Sequence, residues 1–490
     1  MEINLKDIEN LVSSREADIC DDSRKVKPGD VFVAVKGGAY DGHAYIGEAI
    51  SRGARFVVCE KSDLLRDDIL RENLVIVPDS RKALGLLAKK RFDDPSHKLV
   101  VYGVTGTNGK STTISIIESV FNSMSIPCGM TGTVFNKIEG DILERSDMTT
   151  CGVLKLNYML RSMLDNGKKA AAVEISSHAL DQERVYGIEL DGAVLTNITP
   201  EHMDYHGDMA SYVKAKSKIF MNLKPAGVAA LNSDDERIRE LAYRPMKGDI
   251  ITFGFSSQSG VHCSNVLQSP DGSEFDLIFY GENIGRVHSS LTGKHNISNL
   301  LGAAAVFLKK GFPGKKVIAG LDFARPVPGR LEKVPSSAPF NVFVDYAHTP
   351  DALRSALESV RAATKGKLFC VFGCGGNRDT GKRPVMGGIA GKLCDGIVLT
   401  DDNPRKEDPD KILSEIKRGI PEGVDCSIIR ERKEAILNAV SKAGKDDTVL
   451  IAGKGHENYQ IFADKTIHFD DREEVLSILD KMGYNSEKQS

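Results

Sequence analysis

The most constraining feature of this chain is a short glycine-rich stretch, Thr105-Gly-Thr-Asn-Gly-Lys-Ser-Thr112. It lies between a buried-strand pattern at 98–104 and an apolar-periodic helix at 112–124. A strand that runs through a glycine turn into a helix opens a parallel α/β layer. The glycines let backbone N–H groups approach an anion, and the helix N-terminus adds positive potential. Lys110 supplies charge for β- and γ-phosphates, and Ser111 or Thr112 supplies a hydroxyl for Mg²⁺. The core Gly106-x-x-Gly109-Lys110-Ser111 is two residues shorter between its glycines than the common phosphate loop, but the physics is the same.

The rest of the chain fits α/β alternation. A length of 490 residues predicts about three domains. With 41% hydrophobic and 27% charged residues, long disorder is excluded. A net charge of −3 provides no bulk attraction for nucleic acid or an anionic membrane, so an anionic ligand must be held by local groups. The polar start, Met1–Asn10, lacks the layout of a signal peptide, and no apolar run approaches the ~20 residues of a membrane span. The nine cysteines are scattered without a C-x-x-C pair, Cys370 and Cys374 coming closest, which predicts a reduced, cytoplasmic protein. A monomer with no nucleic-acid partner and no membrane insertion is the expectation.

Turn-rich pieces at 27–30 and 36–43 separate short apolar runs at 31–35 and 56–58, which read as a small α/β unit. The segment 92–96 reads as a linker, and paired prolines in Ala324-Arg-Pro-Val-Pro-Gly329 suggest a second boundary. The expected domains are therefore 1–95, 96–325 and 326–490. Further buried strands are expected at 170–175 and 192–196, and a helix at 296–309. In the last domain, strands are expected at 340–344, 367–372, 396–399 and 448–452. This is an open, doubly wound, Rossmann-like sheet, which binds ligands at the carboxyl ends of its strands.

Glu174 closes one buried strand, where a carboxylate is costly unless a cation or hydrogen bonds satisfy it. The segment Asn197–Gly207 is dense in His, Asp and Glu. Mg²⁺ takes oxygen ligands and tolerates an imidazole among waters. Read singly, any histidine here is more readily a structural, hydrogen-bonded residue; the cluster after a phosphate loop reverses that.

The ordered set Gly106–Thr112, Glu174–Leu180, Asn197–Gly207 and Gly293–Asn299 resembles the signature of the Mur ligase family. The resemblance implies that ATP is held by Gly106, Thr107, Asn108, Gly109, Lys110, Ser111 and Thr112, with His295 and Asn296 near the nucleotide. Read alone, the last two serve as a helix N-terminal cap. It further implies Ser111, Glu174 and His202 as Mg²⁺ ligands together with a carbamylated Lys216. Without it, Lys214, Lys216 and Lys218 read as surface lysines. A neutral amine captures CO₂, and the carbamate is an oxygen ligand that an ammonium cannot be. Arg330 in Pro328-Gly-Arg330 and Asp345 in Asp345–Pro350 resemble elements that close over ATP, with Arg330 toward the transferring phosphate.

Three strand-end loops in the third domain, Phe372–Asp379, Asp401–Arg405 and Ala452–Glu457, would make one pocket if they converge. They resemble the branch of the family that adds the third residue of the stem peptide. Asp402, Asn403, Pro404 and Arg405 form the version associated with meso-diaminopimelate. That amino acid differs from lysine by a far-end carboxylate, which a guanidinium meets bidentately. Losing such a contact costs about 2–5 kcal/mol. Arg378 would bind the same amino acid, and Gly453 and Glu457 would read its far amino group. In the first domain, Ser23 and the loop Gly38, Ala39 and Tyr40 resemble uridine-nucleotide contacts. Thr149, Thr150, Ser176, Gln182 and Arg184 match positions that hold the pyrophosphate and muramoyl peptide.

The implied reaction joins diaminopimelate to the D-Glu γ-carboxylate of UDP-N-acetylmuramoyl-L-alanyl-D-glutamate through an acyl phosphate made with ATP. Catalytic roles fall to Lys110, His202, Lys216, Arg330 and Asp345. A hinge that swings the third domain inward is expected, because the motifs are split across domains. Three alternatives stay open: a folylpolyglutamate synthase-like ligase, a lysine-adding ligase, and a nucleotide switch that makes no amide.

Overall fold

In the computed structural model, which describes residues 4–37, 40–60, 73–140, 143–146 and 148–484, the strand leading into the glycine loop is Val100–Thr105. It lies inside an eleven-stranded sheet. The parallel part runs, in spatial order, Asp249–Phe253, Leu223–Asn232, Leu190–Leu195, Val100–Thr105, Ala170–Glu174 and Cys128–Thr131. Its register sets Val104 opposite Val194 on one side and Glu174 on the other. The glycine loop thus leaves the sheet flanked by the ends of two neighbours.

Alternate side chains of this sheet enter different cores. Tyr102 and Val104 join Ile117, Phe121, Leu300 and Phe307 on one face, while Val101, Val173 and Leu195 join Leu160, Leu180 and Ile219 on the other. Helices therefore cover both faces, and the strands read as continuous apolar runs. Tyr102, Phe121 and Phe307 form a ring-to-ring triangle with centroids 4.7–5.1 Å apart. Each such buried side chain contributes about 1.5–3 kcal/mol of transfer free energy. The helix Lys294–Lys309 is buried along most of its circumference, so only its ends meet solvent. The helix Gly314–Phe323 packs so closely on helix Lys110–Ser123 that a Cβ on Gly320 would lie 2.3 Å from Val120 Cα.

The sheet continues at one edge into the meander Val261–Ser269, Gly272–Phe279 and Glu282–Ser289, and at the other into Phe135–Lys137 and Leu143–Arg145. A separate four-stranded parallel sheet spans Ile19–Cys20, Val31–Val33, Phe56–Cys59 and Leu74–Ile76. A third sheet orders Glu332–Lys333, Asn341–Asp345, Thr448–Ala452, Leu368–Phe372, Gly396–Leu399 and Cys426–Ile428, all parallel except the first. This is the three-unit α/β architecture expected from the alternation. The segment 92–96 connects the first and central units. It is a tight turn with Asp93 and Asp94 at φ 59° and 46°, and Asp94 caps a short helix, Pro95–Lys98. Arg161 holds Asp93 at 3.1 Å, so this connection is pinned to the central unit.

Candidate active site

The glycine loop is built from behind. Thr196 Oγ1 donates to Asn108 O at 2.6 Å, Asn197 Nδ2 donates to the same carbonyl at 3.0 Å, and Asn108 N donates to Asn197 Oδ1 at 2.9 Å. Gly106 and Gly109 have φ of 152° and 84°, and a Cβ on Gly109 would lie 2.3 Å from Asn299 Oδ1. Only glycine fits both the backbone and the space. Lys110 Nζ folds back onto the Gly106 and Thr107 carbonyls at 3.1 and 2.8 Å. Asn296 is buried and donates to Thr292 O at 2.8 Å; the cap position of its helix is Gly293. His295 meets Ser359 Oγ at 2.9 Å, and burial pushes its imidazole down to about 4.

A cavity of about 210 Å³ opens in front of the loop, lined by Thr107–Thr112, Glu174, Glu201, His202, Lys216, Arg330 and His348, among others. Glu174 is 1% exposed. Ser111 Oγ and Thr133 N donate to its Oε2, and Thr133 Oγ1 to its Oε1, each at 2.9 Å. No basic side chain among the described residues pairs with it. Lys216 is 1% exposed, the reverse of a surface lysine. Its Nζ donates to Gly106 O at 2.7 Å and stands 4.5 Å above the Tyr212 ring. Burial and the Lys110 charge push its amine well below the usual lysine range. Burial also pushes the Glu201 carboxyl up, but Lys110, His202, His348 and Lys216 outweigh it and hold it low. His202 adopts a left-handed φ of 57° and packs edge-on against His178, with ring centroids 4.6 Å apart.

The third unit closes this cavity. Arg330 lies with its guanidinium carbon 4.6 Å over the Tyr346 ring, and its buried Nε has no hydrogen-bond partner among the described residues. Asp345 accepts from the Leu331 and Ala347 amides, so it holds the turn that carries Arg330; burial raises its carboxyl and Arg330 opposes that rise. A second cavity of about 470 Å³ shares Thr133, Thr149 and Tyr346 with the first, and adds Ser146, Met148, Gly329, Glu332, His456, Glu457 and Arg472.

Thr149, which lines both cavities, and Ser176, which lines the first, belong to a cluster with Thr150, Gln182 and Arg184. Thr149 Oγ1 accepts from Thr133 Oγ1 at 3.0 Å, and Thr150 Oγ1 donates to Glu174 O and accepts from Ser176 N. Arg184 donates to Gln182 Oε1 and, at 3.1 Å, to Thr150 O. In the third unit, Glu457 lines the second cavity, while Arg378, Asp402–Arg405 and Gly453 line neither; Asn403 Nδ2 donates to Glu457 Oε2 at 2.9 Å, and Gly453 approaches Asp402 so closely that a Cβ would lie 2.5 Å from Asp402 Oδ2. Pro404 is buried behind Arg405. Arg405 Nη1 donates to Gly376 O at 3.1 Å, with no acidic partner among the described residues. Arg378 is exposed beside it: a Cβ on Gly375 would lie 2.8 Å from Arg405 Nη1 and 3.8 Å from Arg378 Cγ.

Some expected residues are not brought to these cavities. Ser23 is buried in the first unit and donates to Glu48 Oε2 at 2.7 Å, so its hydroxyl is already engaged. Tyr40 is 74% exposed, and Gly38 and Ala39 lie outside the described residues. Among the described residues, Asp94, His97 and Glu189 are the one trio of acidic or imidazole donors within 4.8 Å of one another, and they lie outside both cavities. Lys89 neutralises that trio through Asp94 and Glu189. Sequence reasoning missed Thr133, Glu201, Tyr346, His348 and Lys454. Thr133 and Tyr346 each follow a strand end, the signal that should have found them.

The comparisons with known proteins follow the same division. The Mur ligase family, catalytic domain, matches residues 19–92; the Mur ligase middle domain matches 104–307; and the Mur ligase, glutamate ligase domain, matches 329–455. The UDP-N-acetylmuramoyl-L-alanyl-D-glutamate–2,6-diaminopimelate ligase 1 of Clostridium acetobutylicum is 40% identical over 463 residues, which cover 94% of each chain. A solved structure of a UDP-N-acetylmuramoyl-L-alanyl-D-glutamate–2,6-diaminopimelate ligase superposes with TM-score 0.69 at 32% identity over 95% of each chain. A MurF ligase from Thermotoga maritima, solved in complex with ADP, shares the fold at TM-score 0.64 and 20% identity, covering 96% of this chain and 98% of that one. With matches of one family in all three units and 40% identity along almost the whole length, the chain belongs to the Mur ligase family.

Proposed function

We propose that this protein is an ATP-dependent ligase that adds meso-diaminopimelate to the D-glutamyl γ-carboxylate of UDP-N-acetylmuramoyl-L-alanyl-D-glutamate, in peptidoglycan synthesis. The observation that carries the choice of amino acid is Arg405. Its guanidinium, on a strand-end loop, donates only to the Gly376 and Asn403 carbonyls, with no protein carboxylate among the described residues to satisfy it. A ligand carboxylate completes it. Lysine, lacking that group, leaves the guanidinium without a carboxylate partner.

The chemistry follows from two adjoining cavities. The D-glutamyl carboxylate attacks the γ-phosphorus of ATP, giving an acyl phosphate and ADP. The amine of diaminopimelate then attacks the acyl carbon, and the tetrahedral intermediate expels phosphate to leave the amide. The glycine loop 106–112 holds the phosphates through its amides, and Lys110 leaves its two carbonyl contacts to meet them. Arg330, with its unsatisfied Nε, offsets charge on the transferring group, the dominant demand of phosphoryl transfer. Asp345 acts through Arg330 by fixing its turn. His295 and Asn296 flank the nucleotide.

The residues present fit Mg²⁺. Glu174 is a fully buried carboxylate without a basic partner among the described residues, next to the Ser111 hydroxyl. Lys216 is a buried amine held below its usual range, the state that captures CO₂ with loss of a proton to become a carbamate. Ser111, Glu174, His202 and carbamylated Lys216 would hold the metal, which supplies charge neutralisation for the phosphates. Thr149, Thr150, Ser176, Gln182 and Arg184 take the pyrophosphate and muramoyl peptide; Arg378, Asp402, Asn403, Pro404, Gly453 and Glu457 join Arg405 around the amino acid. Residues 1–95, with Ser23 and the loop 38–40, hold the uridine end, 96–325 the ATP, and 326–490 the amino acid. The protein works as a cytoplasmic monomer.

The test is phosphate release from ATP with the UDP-linked dipeptide, comparing meso-diaminopimelate with L-lysine. Turnover with diaminopimelate alone is expected. Turnover with lysine would overturn the specificity, and turnover with neither would overturn the reaction.

A further inference from the structure

Arg405 is held in place by more than its own loop. The loop after strand Leu368–Phe372 and the loop after strand Gly396–Leu399 interlock through backbone and side chain. Gly376 N donates to Asn403 O at 2.9 Å, and Lys406 N donates to Asn377 Oδ1 at 3.1 Å. Pro404 O lies so close to Gly376 that a Cβ there would be 1.9 Å away. Arg405 itself sits at φ 54°, a left-handed conformation that costs a non-glycine residue about 1–3 kcal/mol and persists only where its surroundings over-determine it.

Arg405 N donates to Ile461 O at 3.0 Å, and a second arginine braces the two loops around it. Arg383, on helix Lys382–Leu393, is 0% exposed. Its Nη1 donates to Glu407 Oε1 at 2.8 Å and Glu415 Oε2 at 2.6 Å, and its Nη2 to Glu407 Oε2 at 2.8 Å and Gly375 O at 3.4 Å. Glu407 Oε2 also accepts from Asn377 N at 2.9 Å. One guanidinium therefore ties together the loop after Leu368–Phe372, the Arg405 loop and helix Pro409–Lys417. Hydrogen bonds from Arg383 pull the Glu407 carboxyl down to about 2, so the pair stays ionised across the working range of pH. A buried ion pair is a poor source of net stability, and its best-attested use is to fix one register among alternatives.

We propose that the Arg383–Glu407 pair is a positioning device that fixes the angle and depth at which Arg405 meets the far carboxylate of the incoming amino acid, and so sets the preference for diaminopimelate over lysine. Neither residue touches the amino acid; both act through Arg405. This rests on the reading that Arg405 meets that carboxylate.

The experiment compares wild-type enzyme with Glu407→Gln, Arg383→Lys, Arg405→Ala and the Glu407→Gln/Arg405→Ala double variant, measuring kcat, KM for diaminopimelate and KM for ATP. Glu407→Gln keeps the size of a partly exposed side chain, and Arg383→Lys keeps the buried charge while losing the fork. Each is expected to raise KM for diaminopimelate about tenfold, with kcat and KM for ATP within about twofold. In the double variant the glutamine should add nothing to the loss already caused by Arg405→Ala, because the two act on one interaction. An unchanged KM for diaminopimelate in Glu407→Gln, or fully additive losses in the double variant, would overturn the proposal. A parallel rise in KM for ATP would do the same, since it marks general loosening. Arg405→Ala with a wild-type KM for diaminopimelate would instead sink the underlying reading of Arg405.

Discussion

Lys216 shows how far a single residue departs from its statistical expectation. Pattern alone reads it as a surface lysine among three, and only the family resemblance marks it out. The structure buries it beneath the glycine loop, where its amine is stripped of water and repelled by Lys110. Nothing in the local sequence Tyr212–Ser217 announces this, because burial comes from a loop 110 residues away. Glu174 was more legible: a carboxylate ending an apolar strand needs a partner wherever it is. Lys216→Met is expected to lower kcat about 10²–10³-fold while leaving the folded protein intact, the scale seen when one charge-stabilising group is lost. Phosphate release gives the rate. Carbon-13 NMR of enzyme in labelled bicarbonate gives the cause, because a carbamate carbonyl signal should appear in the wild type and vanish in the variant. A wild-type signal that never appears would remove the carbamate from the mechanism.

At the scale of elements, the parallel strands were legible because each is a short, wholly apolar run. Leu368–Phe372, Gly396–Leu399 and Thr448–Ala452 lie within a residue of their expected bounds. The meander from Val261 to Ser289 went unread. Its first strand has only two fully buried positions among nine, so neither a continuous apolar run nor a clean alternation marks it. The connection at 92–96, expected as a linker, lies between the first two family matches, and there Asp94 is a helix cap and Asp93 an anchor for Arg161. Helix–helix contact rests on glycine at Gly320. Replacing it with leucine forces the helix Gly314–Phe323 away from Val120, and overpacking of this kind costs about 1–3 kcal/mol. Thermal melting of Gly320→Leu should fall about 2–4 °C for each kcal/mol lost. KM for ATP in the cold should stay unchanged; a rise there would mean that the contact shapes the nucleotide site.

Across the whole molecule, the loops that carry Arg330, His348 and Glu457 reach the central cavities from a separate sheet, so those cavities are complete only when two units meet. Contacts between them include polar ones: His295 meets Ser359, and Lys333 pairs with Asp271 at 2.6 Å. Interfaces of that kind permit relative motion. Small-angle scattering of the enzyme with a non-hydrolysable ATP analogue and the UDP-linked dipeptide should give a smaller radius of gyration than the protein alone. Equal radii would argue for a fixed arrangement. The three-unit division was readable in advance from turn-rich boundaries and repeated strand–helix alternation. The meeting of the units was not, since no local pattern encodes which strand ends face each other.

The two adjoining cavities share Thr133, Thr149 and Tyr346 as a common wall. Under the proposed function, a mimic of the nucleotide phosphates in the first cavity and a ligand of the second could thus be joined by a tether across that wall. Binding of one half would present the other at an effective concentration in the millimolar range, so two weak fragments would combine into a tight inhibitor. The short partition that lets an activated carboxylate meet its amine also makes the enzyme open to such bridging ligands.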